Sequence, residues 1–150
     1  MIYRKATTED INSIIEMRVS LLIEEAAAMP TSIERELTTY FLAELNKTII
    51  VMLAEENGKI VATSSVVFQQ YPPSFSNKQG MRAYVTNVYT IPAYRRKGIN
   101  TILLEKLIEE VKARDISYVW LWATEQGKRL YKKFGFNELT TFATMDYSIG

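Results

Sequence analysis

The chain contains no cysteine and no histidine. Without cysteine there is no disulfide, no thiolate nucleophile and no sulfur-ligated zinc or iron–sulfur cluster. Without histidine the commonest general base and the commonest metal ligand are missing. Serine-hydrolase triads, Cys-His proteases and HExxH metallohydrolases are therefore excluded, and no metal site is expected. Glycine and proline are scarce, 6 and 4 in 150 residues, which argues against linker-like or low-complexity sequence. No window approaches the length of apolar chain that spans a membrane. The first ten residues, MIYRKATTED, carry Arg4, Lys5, Glu9 and Asp10 where a signal peptide needs an apolar core. The expected location is the cytoplasm, with no membrane partner.

What is present describes one ordinary globular domain over residues 1–150, with 47% hydrophobic and 23% charged residues. The net charge of +1 hides an uneven distribution. Residues 1–81 carry 7 Lys/Arg against 10 Asp/Glu, residues 82–133 carry 11 against 5, and residues 134–150 carry 0 against 2. A basic middle segment in a near-neutral chain suggests a bound anion, although a solvated basic helix face accounts for the charge equally well. Nucleic acid ranks last among the anions, because no helix-turn-helix, RNP or zinc-finger pattern accompanies the charge.

Period and punctuation predict a mixed α/β fold. Residues 1–6 read as a strand, and Ile11, Ile14, Ile15, Val19, Leu22 and Ile23 recur at helical spacing up to about Ala28, where Met29-Pro30 breaks the helix. A second helix is expected from Thr31 or Ser32 to Leu45. TIIVMLA at 48–54 and the apolar run 60–68 flank Asn57-Gly58, a strong hairpin signal. A loop over 71–80, a strand over 82–91 stopped by Pro92, and a helix from near Gly98 to about Asp115 follow. SYVWLWA at 117–123 is apolar on both faces, as in the middle of a covered sheet. A helix over about 125–134 and one or two strands over 136–149 complete the reading.

The chemistry is concentrated in Arg95-Arg96-Lys97-Gly98-Ile99-Asn100-Thr101, between a strand and a helix. Helix N-terminal N–H groups, the macrodipole and a glycine that admits close approach make such a turn suited to phosphate. It is neither G-x-x-x-x-G-K-S/T nor G-x-G-x-x-G, so nucleotide hydrolysis and nicotinamide chemistry lose support. The stretch resembles the pyrophosphate loop of the GCN5-related N-acetyltransferase superfamily, Arg/Gln-x-x-Gly-x-Gly/Ala after a strand ending in a hydrophobic-Pro pair. Asn100 stands where that pattern has Gly or Ala, and its side chain is expected to crowd the ligand. A second motif of the family, L-Y-x-x-x-G-F, is matched by Leu130-Tyr131-Lys132-Lys133-Phe134-Gly135-Phe136.

The resemblance implies a mostly antiparallel sheet flanked by helices and direct transfer of an acetyl group from acetyl-CoA to an amine, a reaction that needs no enzyme nucleophile. It implies that Val88, Tyr89 and Thr90 bond the pantetheine arm and thioester, and that Arg95, Arg96, Lys97, Gly98, Ile99, Asn100, Thr101 and Thr124 surround the cofactor. Tyr131 would protonate the departing thiolate, or else serve as a core anchor. The expected strand supplies no carboxylate as base. Its polar residues Tyr84 and Asn87 do not match an ammonium of pKa near 10. Glu24 and Glu25 end the first helix, and Glu25 with Tyr84 is the candidate acceptor contact, joined by Tyr71, Phe75 and Phe142 as aromatic lining. The partner is a small-molecule or peptide amine, with a second copy of the chain also open. The alternative is a non-catalytic acyl-CoA-binding module.

Overall fold

Asn57 and Gly58 both take left-handed backbone angles, φ 52° and 77°. This is the turn that Asn-Gly favours between two strands whose twist it matches. It joins β2 (Ile49–Glu56) to β3 (Lys59–Gln70), with Glu56 opposite Lys59. The computed structural model describes residues 1–26 and 31–150. Around this hairpin stand β1 (Ile2–Lys5), α1 (Ile11–Glu25), α2 (Glu34–Glu44), β4 (Met81–Thr90), α3 (Ile99–Ala113), β5 (Val119–Leu121) and α4 (Glu125–Phe134). The five strands lie in chain order. Neighbours are antiparallel except for the parallel pair β4 and β5.

Both faces of the sheet centre are covered, which explains why β2 is apolar at consecutive positions. Ile50, Met52 and Ala54 pack with Leu103, Leu107 and Val111 of α3. Val51 and Leu53 pack with Ile14 and Ile15 of α1 and Phe41 of α2. Each such side chain contributes about 1.5–3 kcal/mol when fully buried. The two layers fix β4 between its neighbours and set α3 against the sheet at the end of β4, where the candidate site lies.

The structure corrects three boundaries. α1 ends at Glu25, with Ala26 already extended, instead of running to Ala28; the expected break at Met29-Pro30 lies outside the described residues. α2 starts at Glu34, after Thr31 and Ser32. The strand expected over 117–123 is three residues long and forms the sheet edge, with Trp122 62% exposed. Its double-sided apolarity reflects aromatic stacking: Trp120 lies 4.4 Å from Tyr84 and 5.7 Å from Trp122, ring centre to ring centre. Residues 136–149 form no strand. Phe142, Met145, Tyr147 and Ile149 alternate loosely in sequence but stand exposed, and an apolar alternation with no ladder beside it does not make a strand.

At the start of α1, Arg4 grips Asp10 with two bonds of 2.8 Å, and the same carboxylate accepts the Thr7 N–H at 2.8 Å. The Arg4 bonds hold the Asp10 carboxyl below its usual range, against the opposing effect of burial. Asp10→Asn is therefore expected to cost about 1–2 kcal/mol at neutral pH. Because the folded pKa is the lower one, this stability is present above the unfolded value near 4 and is lost as pH falls through the folded value. Urea unfolding at pH 7 should separate the two proteins, and the gap should close progressively below about pH 4.

Candidate functional site

Pro92 opens a short turn after β4, Arg96 takes a left-handed φ of 62°, and Gly98 at 77° caps α3. A Cβ on Gly98 would meet nothing within 4 Å, so the space above the helix end is open to a ligand. The N–H groups of the first turn of α3 have no intrahelical acceptor and carry the positive end of the helix dipole. A cavity of about 120 Å³ is lined by Thr90, Arg95, Arg96, Gly98, Ile99 and Asn100, with Tyr94 and Leu130 completing it. Lys97 is exposed, its ammonium 5.1 Å from the Tyr94 ring centre, and Thr101 lies half-buried in the first turn of α3. This donor set fits the diphosphate of a nucleotide-like cofactor.

Arg95 is only partly available to an anion. Its Nε donates to the Thr90 carbonyl at 2.8 Å, and Nη2 donates to both oxygens of Glu24 at 2.8 and 3.0 Å. Tyr89 completes the cluster by donating its hydroxyl to Glu24 at 3.1 Å. The Arg95 bonds, ahead of the Tyr89 bond, keep the Glu24 carboxyl below its usual range, so Glu24 is a carboxylate at neutral pH and a weak proton acceptor. Burial first, then the Glu24 bond, raises the Tyr89 phenol. Glu24 thus ties the end of α1 to the cofactor loop 71 residues away, a partnership with no sequence signal. Glu25, the neighbour selected as an acceptor contact, is exposed.

Asn100 lines the cavity and is also tied to the end of β4. Its Oδ1 accepts the Thr90 hydroxyl at 3.0 Å, so the side chain links the first turn of α3 to the end of β4. Asn100→Gly is expected to fold and to keep affinity for a diphosphate-bearing ligand of this turn within about threefold, while losing about 1–2 kcal/mol of stability through helix propensity and the lost bond. Calorimetric titration and urea unfolding of the variant measure the two effects separately.

β4 pairs with β5 only through Ala83, Tyr84 and Val85. Residues 86–90 thus have no β5 neighbour, and Val88, Tyr89 and Thr90 lie on this open stretch. Tyr84, the other acceptor candidate, is stacked on Trp120. Thr124 caps α4 by accepting the Gly127 N–H at 3.1 Å. Tyr131 packs edge-on against Phe136 at 5.7 Å, one residue beyond the cavity-lining Leu130, and burial raises its phenol. Phe75 and Phe142 are fully exposed or nearly so. Among the described residues no group of three or more acidic, His or Cys side chains is arranged to hold a metal, and no helix is long and apolar enough to cross a membrane.

A mostly antiparallel sheet with one parallel edge pair, beside a basic strand–loop–helix turn, defines the class: a mixed α/β domain with helices on both faces of the sheet. Residues 18–136 match the Acetyltransferase (GNAT) family, and the chain belongs to that family. The crystal structure of a predicted acetyltransferase from Clostridium acetobutylicum with acetyl-CoA is similar at 38% identity and TM-score 0.89, covering 97% of this chain and 95% of that one. A GCN5-related N-acetyltransferase from Ralstonia eutropha shares the fold at 24% identity and TM-score 0.83, with 97% of each chain covered. The [Ribosomal protein bS18]-alanine N-acetyltransferase of Escherichia coli K12 is 36% identical over 61 residues, 39% of this chain. The match spans about two fifths, 41%, of that curated relative's length.

Proposed function

We propose that this protein is an enzyme that transfers the acetyl group of acetyl-CoA directly to the amine of a small molecule or peptide. The observation that carries the reading is the cradle at Gly98. A left-handed glycine with open space above it, the N-terminal N–H groups of α3 and Arg96 stand around one cavity, with Lys97 adjacent in the loop, and such a turn suits a diphosphate. The similarity to a structure holding acetyl-CoA supports the same cofactor. The free edge at Val88 to Thr90 suits hydrogen bonding to the pantetheine amides, in the manner of an added strand. Tyr131 is the proposed acid for the thiolate, and Glu25 and Tyr84 are proposed contacts for the acceptor.

This chain has no Cys or His to take a proton, and Glu24 is held ionised by Arg95. With the Glu24 carboxylate engaged by Arg95 and Tyr89, the acceptor amine is taken as arriving in its free-base form. The log of kcat/KM is expected to rise with pH and to level at the pKa of whichever amine is used, so that changing the amine moves the inflection. A thiol-reagent assay of CoA release over a panel of amines measures this, and the absence of cysteine leaves no protein background. Acetyl-CoA binding without CoA release for any amine would favour the binding module instead.

A further inference from the structure

β4 falls out of register with β3 at Asn87, whose φ of 55° is left-handed, and past this bulge the strand ends on Tyr89 and Thr90. Both hold Arg95 of the following loop. Nε of Arg95 donates to the Thr90 carbonyl at 2.8 Å, and the guanidinium carbon stands 5.4 Å from the centre of the Tyr89 ring. Nη2 donates to both oxygens of Glu24 on the last turn of α1, at 2.8 and 3.0 Å, and the Tyr89 phenol donates to the same carboxylate at 3.1 Å. The guanidinium is thus gripped from the end of β4 and from the end of α1. A guanidinium carries five N–H donors in one rigid plane, and these bonds draw on Nε and Nη2 only. The two N–H groups of Nη1 are left for another acceptor, and Arg95 lines the cavity at the start of α3.

The side chains of Glu24 and Arg95 are 45% and 42% exposed, and an isolated ion pair at such a surface adds little to the stability of a fold. Stability therefore does not explain the set of contacts. Their shared consequence is that a long, flexible side chain stands in one place before a ligand arrives. An arginine that is loose in solvent has to be ordered when it meets a phosphate, and the ordering weakens binding. Arg96 and Lys97 of the same loop stand exposed, and among the described residues Arg95 is the cation of this loop that a carboxylate holds.

We propose that Glu24 is a positioning residue for cofactor binding: it holds the Arg95 guanidinium beside the cavity with Nη1 free to donate to the diphosphate of CoA. This deepens the acetyl-CoA reading above and rests on it. Glu24 does not line the cavity and acts only through Arg95. Its negative charge opposes an anion, while its grip on Arg95 favours one. The grip prevails because the carboxylate lies a side chain farther from the ligand than the guanidinium it orients, and solvent screens charges at that exposure. The last turn of α1 thereby belongs to the cofactor site, although it lies 71 residues away in the chain.

The test is a double-mutant cycle on CoA binding, measured by calorimetric titration of the wild type, Glu24→Ala, Arg95→Ala and the double variant. Melting temperatures without ligand should stay within a few degrees of one another, because both side chains are nearly half exposed. The CoA Kd of Glu24→Ala is expected to rise about 3- to 10-fold, the cost of ordering one long side chain on binding. In the Arg95→Ala background the same substitution should change Kd by less than twofold, because no guanidinium remains to be positioned. Glu24→Gln keeps an acceptor for Arg95 and Tyr89 and drops the charge, so its Kd should lie between those of the wild type and Glu24→Ala. An equal loss in both backgrounds would overturn the proposal and leave Glu24 a structural role independent of Arg95. A Kd for Glu24→Ala within twofold of the wild type would overturn it as well. So would tighter binding by either Glu24 variant, which would make Glu24 a competitor of the diphosphate for Arg95. A wild type that does not bind CoA would instead remove the cofactor assignment itself.

Discussion

Gly98→Asp is expected to abolish acetyl-CoA binding while leaving the protein folded. Wild-type protein at a ligand concentration about 100-fold above Kd gains about 2.7 kcal/mol, a rise of roughly 5–10 °C in Tm for a domain of this size. Aspartate tolerates left-handed backbone better than most side chains and is a favoured residue before a helix, where its charge suits the dipole. The apo protein should therefore lose only about 1 kcal/mol. The same carboxylate stands in the space that is open above Gly98 and repels phosphate at the end of α3. Differential scanning fluorimetry with and without acetyl-CoA reads both effects in one experiment. Gly98→Ala, with the strain and no charge, should retain a reduced shift. An unchanged wild-type Tm at millimolar acetyl-CoA would remove the cofactor assignment.

The parts of the molecule legible in its sequence are those whose cause is local. The Asn57-Gly58 turn, the stop at Pro92 and the helix between the Thr124 cap and Gly135 each follow from a few adjacent residues, and the structure places them as the sequence implies. The basic turn between β4 and α3 is legible for the same reason, because strand, basic loop, glycine and helix are contiguous. Contacts between distant segments were not. Glu24 and Arg95 pair across 71 residues, and no periodicity announces it. Trp120 and Trp122 read as core because apolar sequence cannot distinguish burial under a helix from stacking at a sheet edge; the stack on Tyr84 is visible only in three dimensions. Asn87 did carry a signal, an asparagine inside a β-branched and aromatic run, and such a residue marks a bulge before any coordinates are known.

Tyr131→Phe is the substitution expected to lower turnover most without disturbing the fold. The phenol packs edge-on against Phe136, and desolvation alone raises its pKa, with no hydrogen bond contributing to the shift. Removing the hydroxyl therefore leaves no buried partner unpaired, and the change in stability should stay within about 0.5 kcal/mol. If the hydroxyl protonates the thiolate, kcat should fall about 10²-fold or more, equivalent to roughly 3 kcal/mol of transition-state stabilisation, with acetyl-CoA affinity unchanged. The sign of the pKa shift adds a second observable. A raised phenol pKa keeps the acid protonated beyond its usual value near 10, so the wild-type kcat should hold level from about pH 7 to 9 and decline only above the normal phenol range. In the phenylalanine variant that alkaline decline should be absent, because the group that causes it is gone. Steady-state turnover and melting of both proteins across this range decide the role. Turnover of the variant within twofold of the wild type would leave Tyr131 as a packing residue, with water supplying the proton.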